Sequence, residues 1–155
     1  MTSWRGLVLA FVLSFGTAGL GGAVTDLGPW YQALQQPPWK PPDWAFGPIW
    51  TTLFSLMAIS GWWAWRVTSH TRRRRQGLAL WVVNGVCNVA WSFLFFKLQR
   101  PDWALVEWVL LWSSIAALMM ALRRDSNLAA WLLVPYLLWV SVAGLLNHAV
   151  MVLNG

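Results

Sequence analysis

Five apolar runs occupy most of this chain, and the connections between them are too short to hold a soluble domain. They are Leu7–Val24, Phe46–Val67, Leu78–Phe96, Trp103–Leu122 and Leu128–Leu153. Roughly 17–25 mainly apolar residues are needed to cross about 30 Å of hydrocarbon as a helix. Lipid offers no partner to a free backbone N–H, so a spanning segment must satisfy its own hydrogen bonds, as a helix does. A barrel would need shorter segments of alternating polarity, which these runs lack. The expected fold is all-α, an integral membrane bundle of five transmembrane helices forming a single domain over 1–155.

Composition agrees. Hydrophobic residues make up 58% of the chain and charged residues 10%, against about 25% charged in soluble domains. The 15 Trp suit a membrane interface, where the ring is buried and the N–H stays wet. The first run has some features of a signal peptide, since Met1–Arg5 is a short basic start and Ala18–Ala23 is rich in small residues. The apolar run continues past Gly16 without a polar break, however, and Ala18/Gly22 and Gly19/Ala23 have the small-xxx-small spacing of packed membrane helices.

The net charge is +6 and Arg72–Arg75 is a basic run. Between two apolar runs it reads as a topology determinant that can also touch anionic lipid heads, so no nucleic-acid partner is expected. Of the 11 Lys and Arg, eight fall at one end: Arg5, Arg66, Arg72, Arg73, Arg74, Arg75, Arg123 and Arg124. Lys40, Lys97 and Arg100 fall at the other. The expected protein is a multi-pass protein of a bacterial membrane; in an inner membrane its N-terminus would be cytoplasmic and its C-terminus outside.

Between Trp30 and Trp50 the sequence reads WYQALQQPPWKPPDWAFGPIW. Proline lacks an N–H and pushes its predecessor toward extended backbone, so the segment is expected to be a stiff, non-helical loop on the outer side. Its Trp rings would form a lid beside the membrane.

Two stripes put polar and aromatic groups on single helix faces. Asn84, Asn88, Trp91 and Phe95 share one; Tyr136, Trp139, Ala143 and Asn147 share another, beginning beside a kink at Pro135. Trp50 and Phe54 are one turn apart. Such stripes can line a cavity, or the amides can join helices. Glu107 is the one acid within an apolar run and is expected near enough to the interface to reach water. Ser113, Ala117 and Ala121 suggest a close-packing or dimer face. The lone Cys87 and the two His fall at no metal-ligand spacing, and hydrolase and phosphate-loop motifs are missing. No metal and no cofactor are expected.

Three separated, correctly ordered patterns resemble the TspO/MBR family of translocator proteins, also called peripheral-type benzodiazepine receptors. They are Trp30-Tyr31, Leu34, Pro37, Trp39, Pro41-Pro42, Phe46, Pro48, Trp50 and Leu53; Asn88, Trp91 and Phe95-Phe96; and Pro135-Tyr136, Trp139, Ala143 and Leu146-Asn147. The resemblance implies a five-helix bundle, usually a homodimer, with a pocket under the first loop. It implies tetrapyrrole partners such as protoporphyrin IX, synthetic isoquinoline and benzodiazepine ligands, and lipids or sterols. Carried over by motif, the ligand would meet Tyr31, Trp39, Trp50, Phe54, Asn88, Trp91, Tyr136, Trp139 and Ala143. Asn84 joins them as the first amide of the same stripe. Acidic tails of a porphyrin would point toward Lys40.

The resemblance also carries an alternative to binding and transport. In bacterial relatives the pair matching Trp50 and Trp139 is implicated in light- and oxygen-dependent porphyrin breakdown, which would make these two the catalytic residues and the porphyrin a substrate. A third reading is a structural or scaffolding membrane protein with interfacial Trp. One departure concerns sterols. Animal members carry a Tyr followed by a basic residue late in the fifth helix, whereas His148 stands here and no Lys or Arg follows.

Overall fold

A computed structural model describes residues 4–155; Met1–Ser3, the start of the basic N-terminal segment, lie outside the described residues. The described residues contain helices and no strand. They are α1 (Trp4–Val24), α2 (Pro29–Ala33), α3 (Asp43–Val67), α4 (Thr71–Ser92), a π-helical continuation of α4 (Phe93–Lys97), α5 (Pro101–Arg123), α6 (Asn127–Trp131) and α7 (Val134–Asn154). Four stretches, Trp4–Val24, Thr71–Lys97, Pro101–Arg123 and Asn127–Asn154, are long and apolar enough to cross a membrane. The long helix α3 is not among them. Its apolar character is diluted by Thr51, Thr52, Ser55 and Ser60, and by Trp side chains that carry an N–H.

Around the bundle, α3 packs on α1, α1 on α4, α4 on α5, α5 on α6 and α7, and α6 and α7 return to α3. Polar bonds stitch most of these seams. Ser14 Oγ donates to Phe54 O at 2.7 Å, and Ser60 Oγ donates to Ala129 O at 2.7 Å. Trp108 Nε1 donates to Val140 O at 2.7 Å, and Trp112 Nε1 to Ser141 Oγ at 2.9 Å. The α1–α4 seam instead uses small residues: a Cβ on Gly85 would stand 3.3 Å from Thr17 Oγ1. Ile115, Leu118, Leu133 and Val140 are buried at the centre.

The element bounds depart from the sequence expectations in ways that matter for the site. The Trp/Pro segment is not wholly extended: Pro29 opens the short α2, and Pro48 lies inside α3. Pro37, Pro38, Pro41 and Pro42 stay outside helices, as their missing N–H groups dictate. Arg72–Arg75 form the first turn of α4 rather than a loop. The expected fifth helix is broken at Leu132–Leu133, and Pro135 sits in the first turn of α7, where a missing N–H is tolerated. Glu107 is only 9% exposed, and neither carboxyl oxygen has a hydrogen-bond partner among the described residues; the packing of α5 against α4 and α7 draws it in. Ser113 is exposed and Ala117 and Ala121 are half-buried, so that stripe lies away from the centre.

Candidate functional site

A cavity of about 350 Å³ opens between α1, α3, α4 and α7 beneath the Trp/Pro segment. Its wall includes Tyr31 from α2, Phe46, Trp50 and Phe54 from α3, Asn88, Trp91, Phe95 and Phe96 from α4 and its π-turn, and Trp139, Ala143 and Asn147 from α7. Gly21 and Gly22 of α1 leave the remaining side low and smooth. The volume falls within the range of small-molecule sites, about 300–1,000 Å³.

Helical spacing explains most of the wall. Trp50 and Phe54 are one turn apart, with ring centroids 5.6 Å apart. Phe46 meets Trp139 edge-on at 5.6 Å, and Trp50 meets Tyr136 edge-on at 6.2 Å. The π-turn explains the rest. Leu98 N bonds to Phe93 O at 2.9 Å and Arg100 N to Leu94 O at 3.0 Å, and the segment ends at Gln99 with φ 54°. A wider turn lets adjacent residues reach the same wall: Trp91 stacks on Phe95 at 5.2 Å and meets Phe96 edge-on at 6.1 Å. The α-helical stripe expected from the sequence includes Phe95 but cannot include Phe96.

Two separate chains of polar bonds back the wall. Tyr136 Oη accepts from Asn88 Nδ2 at 3.0 Å and donates to Asn84 Oδ1 at 3.2 Å. Asn84 Nδ2 donates to Ser114 Oγ at 2.9 Å, and Ser114 Oγ donates to Leu111 O at 2.7 Å. Trp91 Nε1 donates to Asn147 Oδ1 at 3.1 Å, and Asn147 Nδ2 donates to Pro101 O at 2.8 Å. Asn88, Trp91 and Asn147 are the members that border the cavity; Asn88 Oδ1 takes no hydrogen bond from the described residues and lies toward Gly21.

Seven of the ten expected ligand residues therefore share the wall: Tyr31, Trp50, Phe54, Asn88, Trp91, Trp139 and Ala143. Three stand elsewhere. Asn84 is fully buried and joins α4 to α5, one turn too deep to reach the cavity. Tyr136 lies behind the wall with its hydroxyl committed to the two amides. Trp39 is 51% exposed on the outer face of the loop and does not border the cavity. The Lys40 ammonium, expected to meet an acidic tail, already pairs with Asp43 and lies 5.4 Å above the Tyr31 ring.

That pairing clasps the loop to the start of α3. Tyr31 Oη donates to Asp43 Oδ1 at 3.1 Å. Burial, opposed by Lys40, raises the Tyr31 phenol above its ordinary value. Burial also works against the charge on Lys40, but hydrogen bonds to Asp43 and Tyr31 outweigh it and raise its pKa. The bond from Lys40 holds the Asp43 carboxyl below its ordinary value.

Two wall residues hold polar hydrogens that no described residue satisfies. Trp139 Nε1 and Gln36 Nε2 are buried, border the cavity and have no hydrogen-bond partner among the described residues. Buried donors are rarely left so. Gln36 escaped the sequence reading because nothing marks a loop Gln as a ligand residue except its place before Pro37. Phe46 and Asn147 stood inside the quoted motifs but were not singled out for ligand contact.

The match to known proteins covers the regions that build this site. Residues 7–153 match the model of the TspO/MBR family. The chain is 36% identical to Protein CrtK of Rhodobacter capsulatus over 148 residues, 96% of this chain and 92% of that one. It is 37% identical to Tryptophan-rich protein TspO of Chlorobaculum tepidum over 155 residues, 96% of this chain and 94% of the relative. To the Translocator protein of Bos taurus it is 40% identical over 120 residues, 77% of this chain and 71% of that one. With its membrane-length apolar helices, this is a multi-pass membrane protein, and it belongs to the TspO/MBR family.

Proposed function

We propose that the protein binds a tetrapyrrole of the protoporphyrin IX type in the cavity under the Trp/Pro segment and acts as a membrane receptor or translocator for it. One observation carries the reading: an aromatic-walled cavity of about 350 Å³ in which the N–H groups of Trp139 and Gln36 are buried with no acceptor among the described residues. A flat aromatic ligand stacks on Trp and Phe rings, and its polar atoms supply the acceptors those groups lack. The ligand needs no metal or cofactor from the protein, and isoquinoline or benzodiazepine drugs are further candidates for the same wall. In this reading α3 is the fifth span, since it packs beside α1 in the ring, and the arginine-rich end with the N-terminus faces the cytoplasm. A homodimer is part of the same proposal.

Titration of the purified protein with protoporphyrin, followed by quenching of Trp fluorescence, tests the reading. Saturable micromolar binding weakened by Trp139→Ala supports it; no saturable quenching refutes it. Flux of the porphyrin into vesicles separates translocator from receptor.

A second reading has a specific support. Trp50 and Trp139 both border the cavity, so a bound porphyrin would lie against both. The porphyrin would then act as its own photosensitiser, with molecular oxygen as the oxidant. Illumination in oxygen with product analysis decides it: breakdown unchanged in the Trp50→Phe and Trp139→Phe variants rules out a role for the pair.

A further inference from the structure

At the arginine-rich end, remote from the cavity described above, α1, α3, α4 and α5 leave a groove of about 310 Å³. Its sides are apolar, formed by Leu9, Leu13, Trp65, Trp81 and Leu118, and its mouth carries Arg73 and Arg74. Trp62 also borders it, and Trp62 Nε1 is buried with no hydrogen-bond partner among the described residues. Small residues keep it open: Gly6, Gly61 and Gly77 all face it.

Charge at this end is far from balanced. Arg5, Arg66, Arg72–Arg75, Arg123 and Arg124 gather here with one acid, Asp125, which pairs with Arg73 at 2.8 Å. Arg74 is set differently. Its Nε donates to Thr68 O at 2.7 Å, and its guanidinium lies 5.2 Å above the Trp65 ring. Those contacts fix the plane of the side chain, and no carboxylate among the described residues takes its terminal nitrogens. The first turn of α4 adds the positive end of the helix dipole to the same place. A fixed, half-buried guanidinium above an apolar groove calls for an anion carrying an apolar chain.

We propose that this groove is a site for an anionic phospholipid of the surrounding bilayer. One acyl chain lies along Leu13, Trp81 and Leu118, and the phosphate meets Arg74. Charge complementarity selects an anionic headgroup over a zwitterionic one, and the depth of the groove distinguishes a held lipid from a general attraction of the basic end to the membrane.

The test uses full-length protein in nanodiscs of fixed phosphatidylglycerol and phosphatidylcholine content, with bromine on the acyl chains of one lipid or the other. Bromine quenches Trp on contact. The expected result is a preference for phosphatidylglycerol of about fivefold, the size associated with one basic residue beside an anionic headgroup. Arg74→Gln should abolish it. Gly77→Leu should abolish it by filling the groove without touching a charge; a Cβ there meets only Leu122 Cδ2, at 3.5 Å. The double variant Arg72→Gln, Arg75→Gln, in exposed side chains outside the groove, should retain it. Equal quenching by both lipids in the unaltered protein overturns the proposal. So does a preference that survives Gly77→Leu, or one that the Arg72/Arg75 double variant removes. Circular dichroism melts identify any variant that fails to fold, and if Arg74→Gln does so, Gly77→Leu decides.

Discussion

Asn154 holds Gln35 by both of that residue's backbone polar groups. Gln35 N donates to Asn154 Oδ1 at 2.8 Å, and Asn154 Nδ2 donates to Gln35 O at 2.9 Å. The pair ties the last turn of α7 to the middle of the Trp/Pro segment, directly beside the unsatisfied Gln36. The wall of the cavity and the loop over it are therefore fixed to the same helix.

Releasing this tie should speed ligand loss more than ligand capture. Two solvent-exposed hydrogen bonds contribute about 1 kcal/mol together, so Asn154→Ala should raise the dissociation rate of protoporphyrin roughly fivefold. Stopped-flow recovery of Trp fluorescence measures it. An unchanged rate would mean that the segment does not gate the cavity.

The Tyr136 hydroxyl is bound by both buried amides of α4, so its loss should appear in stability before binding. Tyr136→Phe leaves Asn84 and Asn88 each short of a partner in the core, a cost of about 1–3 kcal/mol. Thermal unfolding in detergent should show it. Asn84→Ala should be destabilising on the same scale and leave protoporphyrin affinity nearly unchanged in the folded fraction.

Gly144 is the seat of an indole. A Cβ there would collide with the Trp108 ring, which is itself held by its bond to Val140 O. Overpacking of this kind costs about 1–3 kcal/mol, so Gly144→Ala should lower the melting temperature. Trp108→Phe in the same chain should restore part of the loss, and a double-mutant cycle would report the coupling.

The Lys40–Asp43–Tyr31 clasp should be insensitive to pH across the neutral range. The Asp43 carboxyl is held below its ordinary 3.8, so its contribution is complete above that value and is lost as pH falls through the lowered one. The phenol of Tyr31 and the ammonium of Lys40 are raised above 10.0 and 10.5, so theirs is complete below those values and lost as pH rises through the raised ones. Loop amide resonances in micelles should titrate only outside that window. Because Asp43 is 44% exposed, Asp43→Asn should cost no more than about 1 kcal/mol.

What the sequence showed and what it concealed divide along physical lines. Hydropathy located the long helices, because lipid punishes an unpaired backbone wherever it occurs, but it missed the short α2 and the break between α6 and α7. Residues one turn apart, such as Trp50 and Phe54 or Trp139 and Ala143, could be placed on a common wall by counting. Depth could not be counted: Asn84 and Asn88 lie on one stripe and both bond across to another helix, yet only Asn88 also borders the cavity. Nor could partners distant in the chain be counted. Lys40 was expected to await an acidic ligand and is paired with Asp43, three residues on, at the first residue of α3. Trp39 was expected to act as a lid residue; its ring is half-exposed and does not border the cavity.

The π-turn at Phe93–Lys97 holds one residue more than a regular helix would use to cover the same rise. Deleting any one residue there would restore a 3.6-residue repeat, and the bundle would keep its helices while Phe95 and Phe96 ceased to face inward together. The shape of the cavity is thus written in chain length as well as in side chains. Two sequences with the same aromatic residues, differing by a single position in this turn, would enclose different spaces.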